Sequence, residues 1–169
     1  MISTALPTGS FICNLEVRRI RPPAPVREER TGVTYFVARD YELAYETTLY
    51  FANGAELPIG AQLVGELNES VVVRDESGRG FRRSGYVQGR TELRTADRHV
   101  IFRGRYYDSR TLQSLADDEA LTPIGALLVD HYENGFGEGP CAGHAFSLSV
   151  HLIRVGDGPL RGTGRGQID

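Results

Sequence analysis

Between about residues 32 and 107 the chain consists of short stretches in which apolar and polar residues alternate, separated by turns that contain glycine. Alternation with a period of two is typical of strands that bury one face, and it leaves almost no room for a long helix. Asn53-Gly54, Gly78 and Gly80 are strong turn signals, so strands adjacent in sequence should pair as antiparallel neighbours. The pattern predicts an all-β fold: a single closed or nearly closed antiparallel β-barrel of about eight strands or slightly more.

The predicted strands belong to one domain that covers residues 1–169. They span residues 11–20, 33–38, 41–51, 62–74, 81–95, 99–107, 124–132 and 144–155. Between them we expect a proline-rich arm at 21–30, a short helix near 114–121 and a glycine-rich loop at 134–143. Residues 1–10 are expected to form a leader, and the tail at 161–169 either a last edge strand or a frayed end.

The order of residues along a strand identifies those that share a face. In the strand at 144–155 one face is apolar and the other is small or polar, so the apolar face should meet the core. Glu69 lies on the same face of its strand as Leu63 and Leu67, which makes it the strand acid expected to point inward. An inward carboxylate is costly without a partner, so Glu69 is a candidate functional residue.

The charge and cysteine content argue against several classes of protein. All 19 basic residues are arginine, the formal net charge is −3 and the pI is about 5.8, so the chain lacks the basic footprint of a nucleic-acid binder. Residues 1–10 do not resemble a signal peptide and no stretch is apolar enough to span a bilayer, so we expect a cytoplasmic protein with no membrane partner. Cys13 and Cys141 are then expected to be reduced thiols.

The sequence contains no motif for metal binding, nucleotide binding or nucleophilic catalysis. The glycine runs at 135–139 and 162–166 do not lead from a strand into a helix, as a phosphate-binding loop requires, and flexible loops or β-bulges explain them better. The four histidines lack the spacing that brings two ligands to one ion. We therefore expect neither a metal nor a cofactor.

The densest cluster of polar and aromatic residues runs from residue 102 to residue 110, at a predicted strand end just before the short helix. A binding mouth is expected at this position. Tyrosine and arginine side chains there could orient a carbonyl or an enolate, with Asp108 or Glu66 as the proton acceptor if burial raised its pKa. The alternative is that Asp108 and Arg110 form a simple ion pair at a turn.

Glycines and turns between residues 49 and 107 follow an order that resembles known small barrels. The features are Asn53-Gly54, Ile59-Gly60, the Gly78 turn, Ser84-Gly85-Tyr86, the turn at 95–98 and Ile101-Phe102-Arg103-Gly104. They resemble the calycin-like barrels of the allene-oxide-cyclase and dirigent type, and the bacterial barrel cyclases that form spirotetronate and spirotetramate rings by (4+2) cycloaddition. The resemblance implies cofactor-free cyclisation or isomerisation of a hydrophobic intermediate that an apolar lumen holds near its reactive shape.

Residues and resemblance together predict a cofactor-independent cyclase or isomerase that acts on a hydrophobic, polyketide-like small molecule of specialised metabolism. The expected catalytic residues are Asp108, Glu69 and Tyr106. The expected substrate-binding residues are Arg103, Tyr107, His131, Tyr45 and Phe146. Two other classes stay open: a lipocalin-like carrier that binds a small ligand without changing it, and an interaction module that forms a homodimer through an edge strand or the prolines at 22–25.

Overall fold

The computed structural model describes residues 5–21, 26–74, 81–114 and 125–169, and most of them lie in β-strands. The strands in chain order are β1 (Gly9–Arg21), β2 (Val26–Arg30), β3 (Val33–Phe51), β4 (Glu56–Arg74), β5 (Phe81–Arg94), β6 (Val100–Ser114), β7 (Gly125–Gly137), β8 (Ala145–Val155) and β9 (Leu160–Ile168). A 3-10 turn, Gly139–Cys141, connects β7 to β8.

Eight of the nine strands in the described part of the chain close into an antiparallel barrel. From β3 to β9 each strand pairs with the next one in sequence, and β1 pairs with both β9 and β3, which completes the circle. Phe11 of β1 lies opposite Gly166 of β9 on one side and opposite Phe51 of β3 on the other. β2 pairs with the first part of β3 and lies outside the circle. The predicted all-β antiparallel barrel is confirmed.

β3 is one long strand where the sequence predicted two. Its register with β4 shifts between Ala38 and Tyr41, and Asp40 adopts a left-handed backbone conformation with φ of 56°. This irregularity is a β-bulge, which inserts a residue and so changes which positions point inward. Ala38 before the bulge and Tyr41 after it are therefore both buried.

Glycines form part of the inner wall. Gly162, Gly164 and Gly166 of β9 lie opposite inward-facing residues of β1, and a Cβ on Gly166 would lie 2.1 Å from the Ser147 carbonyl oxygen. Residues 161–169 are thus not a frayed end or an edge strand: β9 pairs on both sides, and its glycines let neighbouring strands and side chains approach closely. The other glycine run also lies partly in a strand, because β7 continues to Gly137 and shortens the predicted loop at 134–143.

The barrel interior has two different ends. The lower end, at the turns 52–55 and 95–99, contains an aromatic cluster in which Phe146 packs on Phe11 and Phe102 with ring centroids 5.8 Å and 5.6 Å away. The upper end is where β1, β4, β6 and β8 finish and where the turn at 156–159 lies. Inward-facing charged residues are found between the aromatic cluster and the upper end.

The predicted arm and the predicted leader differ from the structure. The arm predicted at 21–30 is partly strand, because Arg21 ends β1 and Val26–Arg30 forms β2, whose charges pair along each face of the strand. The leader predicted at 1–10 is shorter, since β1 begins at Gly9. The helix predicted near 114–121 lies outside the described residues except for Ser114, which ends β6.

Two predictions about strand faces are confirmed. Glu69 is buried on the inner face of β4, and the apolar face of β8 lies in the core. Cys13 and Cys141 are both buried free thiols. Among the described residues, no helix is long and apolar enough to cross a membrane.

Candidate functional site

A histidine between two carboxylates occupies the middle of the barrel. Asp108 of β6 and His131 of β7 are direct cross-strand partners that face inward, and Glu133 follows His131 on the same face of β7. His131 Nδ1 contacts Asp108 Oδ1, and His131 Nε2 lies 2.9 Å from Glu133 Oε2. All three side chains are buried, so water does not compete for these contacts.

The two carboxylates decide the charge of His131. Burial by itself lowers the pKa of the imidazole, but the charge and hydrogen bonds of Asp108 and Glu133 outweigh it and raise the pKa of His131 to about 10. The ring is therefore an imidazolium at neutral pH, and both of its nitrogens donate. His131 cannot act as a base in this state, but it fixes the orientation of Asp108.

Glu133 accepts two further hydrogen bonds. Thr91 Oγ1 donates to Glu133 Oε1 at 2.5 Å, and the Tyr45 hydroxyl donates to Oε2. Burial and then the negative charge of Glu133 raise the pKa of Tyr45 and bring the pKa of the Cys13 thiol to about 12. Tyr45 and Cys13 consequently stay neutral, and Cys13 is not a thiolate nucleophile.

A second ionic cluster lies above the first, toward the upper end. Glu69 Oε1 is 3.4 Å from Arg110 Nε, and Glu69 Oε2 is 4.0 Å from Arg83 Nη1. Arg110 Nη1 donates to the Tyr41 hydroxyl at 3.2 Å. Burial lowers the pKa of Arg110, but Tyr41 and Glu69 outweigh this effect and raise it, so Arg110 is a buried guanidinium.

A cavity of about 90 Å³ joins the two clusters. Its polar wall consists of Asp108, Tyr41 and three arginines, Arg19, Arg110 and Arg154. The apolar residues are Val17, Leu43, Leu127, Val129 and Leu160. A carboxylate, a guanidinium and a phenol thus face one small space, and that combination can accept a proton and stabilise a negative oxygen.

Tyr106 has an unusual environment. Its hydroxyl is buried and has no hydrogen-bond partner among the described residues. The ring centroid lies 6.0 Å from that of His131, and burial, followed by the charge of Asp108, raises the pKa of Tyr106. Gly65 makes room for this hydroxyl, since a Cβ there would lie 2.6 Å from the Tyr106 oxygen. Tyr106 is therefore a neutral buried donor.

The structure brings together most of the residues that the sequence singled out. Asp108, His131, Tyr45 and Tyr106 belong to one cluster, and Glu69 belongs to the adjoining one. The alternative interpretation placed Asp108 and Arg110 at a turn, but both lie within β6. Phe146 is buried in the aromatic cluster at the lower end, away from the charged groups.

Two predicted substrate-binding residues lie on the outer surface. Arg103 and Tyr107 have the opposite strand parity to Tyr106 and Asp108, so closure of the barrel turns them outward. Arg103 is 52% exposed and its Nε is 2.9 Å from a Glu138 carboxylate oxygen, while Tyr107 stacks on Tyr86 with centroids 5.9 Å apart. The expectation that Arg103 and Tyr107 lie at the lumen or its mouth is wrong.

Sequence reasoning missed Glu133, Thr91 and Arg154. Glu133 lies two residues after His131, so strand parity was available as a signal once His131 was chosen. Arg154 continues the alternation that runs from Phe146 to Leu152, which places it on the inner face of β8. Thr91 shares strand parity with Val87 and Leu93, but its contact with Glu133 depends on the position of β7 relative to β5, which the sequence does not give.

Within the described part of the chain, no group of three or more His, Cys, Asp or Glu side chains is arranged to hold a metal ion. In the cluster itself, His131 directs both of its nitrogens at carboxylates. Comparison of the chain with protein-family models, with curated proteins and with solved structures finds no match.

Proposed function

We propose that the protein is a cofactor-independent isomerase or cyclase, acting on a hydrophobic small molecule of specialised metabolism, in which Asp108 transfers the proton. One observation carries the proposal: Asp108 lines the cavity while a buried imidazolium holds its other side. Burying a carboxylate requires compensating partners, and Asp108 has one in His131 while it still faces the cavity.

The cavity wall supplies the groups for an enolisation step. The Asp108 carboxylate takes a proton from a carbon next to a substrate carbonyl. The electron pair of the broken C–H bond forms a C=C bond, and the π pair of the carbonyl moves onto its oxygen. Arg110 and Tyr41, which line the same cavity, can donate to that developing oxyanion. Asp108 then returns the proton to a different carbon, giving an isomer. In a cyclase the enolate carbon instead adds to a second carbonyl carbon of the same substrate, the π pair of that carbonyl moves onto its oxygen, and Asp108 gives the proton to this alkoxide. Glu69 holds Arg110 in position.

The cavity volume limits how the substrate binds. About 90 Å³ corresponds to roughly three water molecules in the liquid, so only the reacting end of a substrate fits inside. Pockets that enclose a whole drug-sized ligand measure about 300–1,000 Å³. The observed cavity therefore favours an enzyme that admits only the reacting end of its substrate over a lipocalin-like carrier, and over confinement of a whole polyketide-like chain.

Hydrogen–deuterium exchange tests the proposal without knowledge of the natural substrate. A panel of small ketones, β-diketones and keto acids is incubated with the protein in D2O, and loss of the proton next to the carbonyl is followed by NMR. We expect the wild type to accelerate exchange for at least one compound, and Asp108→Asn to slow it by about 10²-fold or more.

Asp130→Asn is the matched control, because Asp130 lies on β7 but is exposed and contacts His151 Nδ1 at 2.5 Å on the outer surface. This variant should exchange at the wild-type rate. Equal rates in the wild type and Asp108→Asn would reject Asp108 as the acid–base group. No acceleration with any compound of the panel would reject enolisation as the chemistry.

A further inference from the structure

Three guanidinium groups border the cavity between the ionic clusters. Arg110 belongs to β6 and Arg154 to β8. Arg19 lies near the end of β1, at the upper end of the barrel. Arg110 is almost completely buried, whereas Arg19 is exposed. The cavity is therefore lined by positive charge from its interior to its mouth.

Cationic side chains outnumber carboxylates in the lining of the cavity, as far as the described residues go. Arg19, Arg110 and Arg154 line it together with one carboxylate, Asp108. Asp108 is paired with His131 and Arg110 with Glu69, while Asp157, in the exposed turn after β8, is the carboxylate near Arg154.

Arg154 has a buried donor that faces this space without a partner among the described residues. Its Nε is buried and makes no hydrogen bond within the described part of the chain. Burial, and then the positive charges of Arg19 and Arg110, lower the pKa of Arg154. A buried donor beside two like charges is expected to gain most from an anion in the adjacent space.

We propose that this cavity binds a carboxylate group, and that the substrate is accordingly an organic monoanion. The inference builds on the proposed function, since it names the charged group that the substrate carries. A guanidinium matches a planar carboxylate in a bidentate arrangement, and a group of this size fits within about 90 Å³. A monoanion is favoured over a phosphate dianion because Asp108 lines the same cavity and would repel the second charge.

The test is a titration with small anions, followed by NMR at the Nε–H signals of the arginines and by calorimetry. Acetate, propionate and benzoate are compared with the neutral acetamide and benzamide and with inorganic phosphate. We expect the carboxylates to shift the Arg154 Nε–H signal and the amides to leave it unchanged. No shift with any carboxylate would overturn the inference, and tighter binding of phosphate than of every carboxylate would overturn the assignment of a monoanion.

Variants locate the site. Arg154→Met should weaken carboxylate binding about tenfold or more, as expected for loss of a charge-assisted hydrogen bond. Arg161→Met, which removes an exposed arginine paired with Glu16 on the outer surface, is the control and should bind like the wild type. Equal weakening by both variants would show that the anion does not bind in the cavity. If Arg154→Met does not fold, Arg19→Gln at the mouth should still weaken binding.

Asp108→Asn separates this inference from the proposed function. The variant removes a negative charge from the cavity wall, so carboxylate binding should persist or become tighter while proton exchange is lost. Binding without any exchange activity in the wild type would reject the function and retain the anion site. Exchange of neutral ketones without carboxylate binding would reject the anion site and retain the function.

Discussion

Raising the pH from 6.5 to 10 should remove a large part of the barrel's stability through a single histidine. In the unfolded chain His131 titrates near 6.5, whereas in the folded barrel Asp108 and Glu133 hold its pKa at about 10. The folded state therefore keeps a proton that the unfolded state releases as the pH rises through 6.5. The stabilisation is fully present below pH 6.5 and is lost progressively up to pH 10.

The size of the effect comes from the difference between the two pKa values. It corresponds to about 5 kcal/mol in total, or about 1.4 kcal/mol per pH unit within the window. The buried thiol of Cys13, whose folded pKa is about 12, lowers stability as well, but only once the unfolded thiol ionises near its ordinary value of 9.0. Between pH 6.5 and 8.5, below the range in which the unfolded thiol ionises, the titration of His131 should lower the free energy of unfolding by roughly 2–3 kcal/mol.

Urea unfolding at several pH values measures this slope, and NMR of the imidazole carbons measures the titration of His131 directly. His151→Gln is the control, since His151 is exposed on the outer surface and the slope should not change when it is removed. A free energy of unfolding that is constant between pH 6.5 and 8.5 would refute the reasoning. So would a His131 ring that titrates near 6.5 in the folded protein.

The glycine wall, the contacts of Glu133 and the outer surface each provide a further expectation. Gly166→Ala should lower the free energy of unfolding by about 1–3 kcal/mol or more. Gly60→Ala, whose added Cβ would have its nearest neighbour at 3.9 Å, should lower it clearly less. Equal losses in urea unfolding would contradict the steric argument. Tyr45→Phe removes a donor to Glu133 and should destabilise the barrel by about 1–3 kcal/mol, and an unchanged unfolding midpoint would argue against that contact. Arg103→Gln should alter neither the melting temperature nor acetate binding, because the ion pairs of Arg103 are exposed. Weaker acetate binding by this variant would show that Arg103 contributes to the site.

The fold was predictable from sequence because its signals are local. Alternation and turn dipeptides such as Asn53-Gly54 specify strands and hairpins, and consecutive hairpins with an apolar face lead to a meander that must close or stack. The alternation predicted an interruption at residues 39–40, but not that it is a bulge within one strand, since that depends on how β3 pairs with β1, β2 and β4 at once. The pairing of β9 on both sides was not predictable either, because it depends on closure of the barrel. A strand rich in glycine also has little local preference for a sheet.

The candidate site was predictable where one face of a strand is clearly apolar. Glu69 lies among leucines, so its inward orientation followed from alternation. The stretch from residue 102 to residue 110 is polar and aromatic on both faces, and parity there could not distinguish Asp108 from Tyr107. The pairing of β6 with β7 resolves the ambiguity, because it places Asp108 opposite His131 inside the barrel and Tyr107 opposite Tyr132 outside.

The position of the charges within the barrel separates a structural role from a functional one. Buried ion pairs are not needed for stability, because well-packed apolar residues of similar volume often stabilise a core equally well or better. Glu133 is enclosed by Tyr45, Thr91 and His131, and a purely structural network could end there. The network instead continues through Asp108 to a cavity that Arg110 and Arg154 also line. Under the proposed function this network meets a ligand at the cavity, where Arg154 Nε has no hydrogen-bond partner among the described residues, so binding should be sought at the upper end of the barrel.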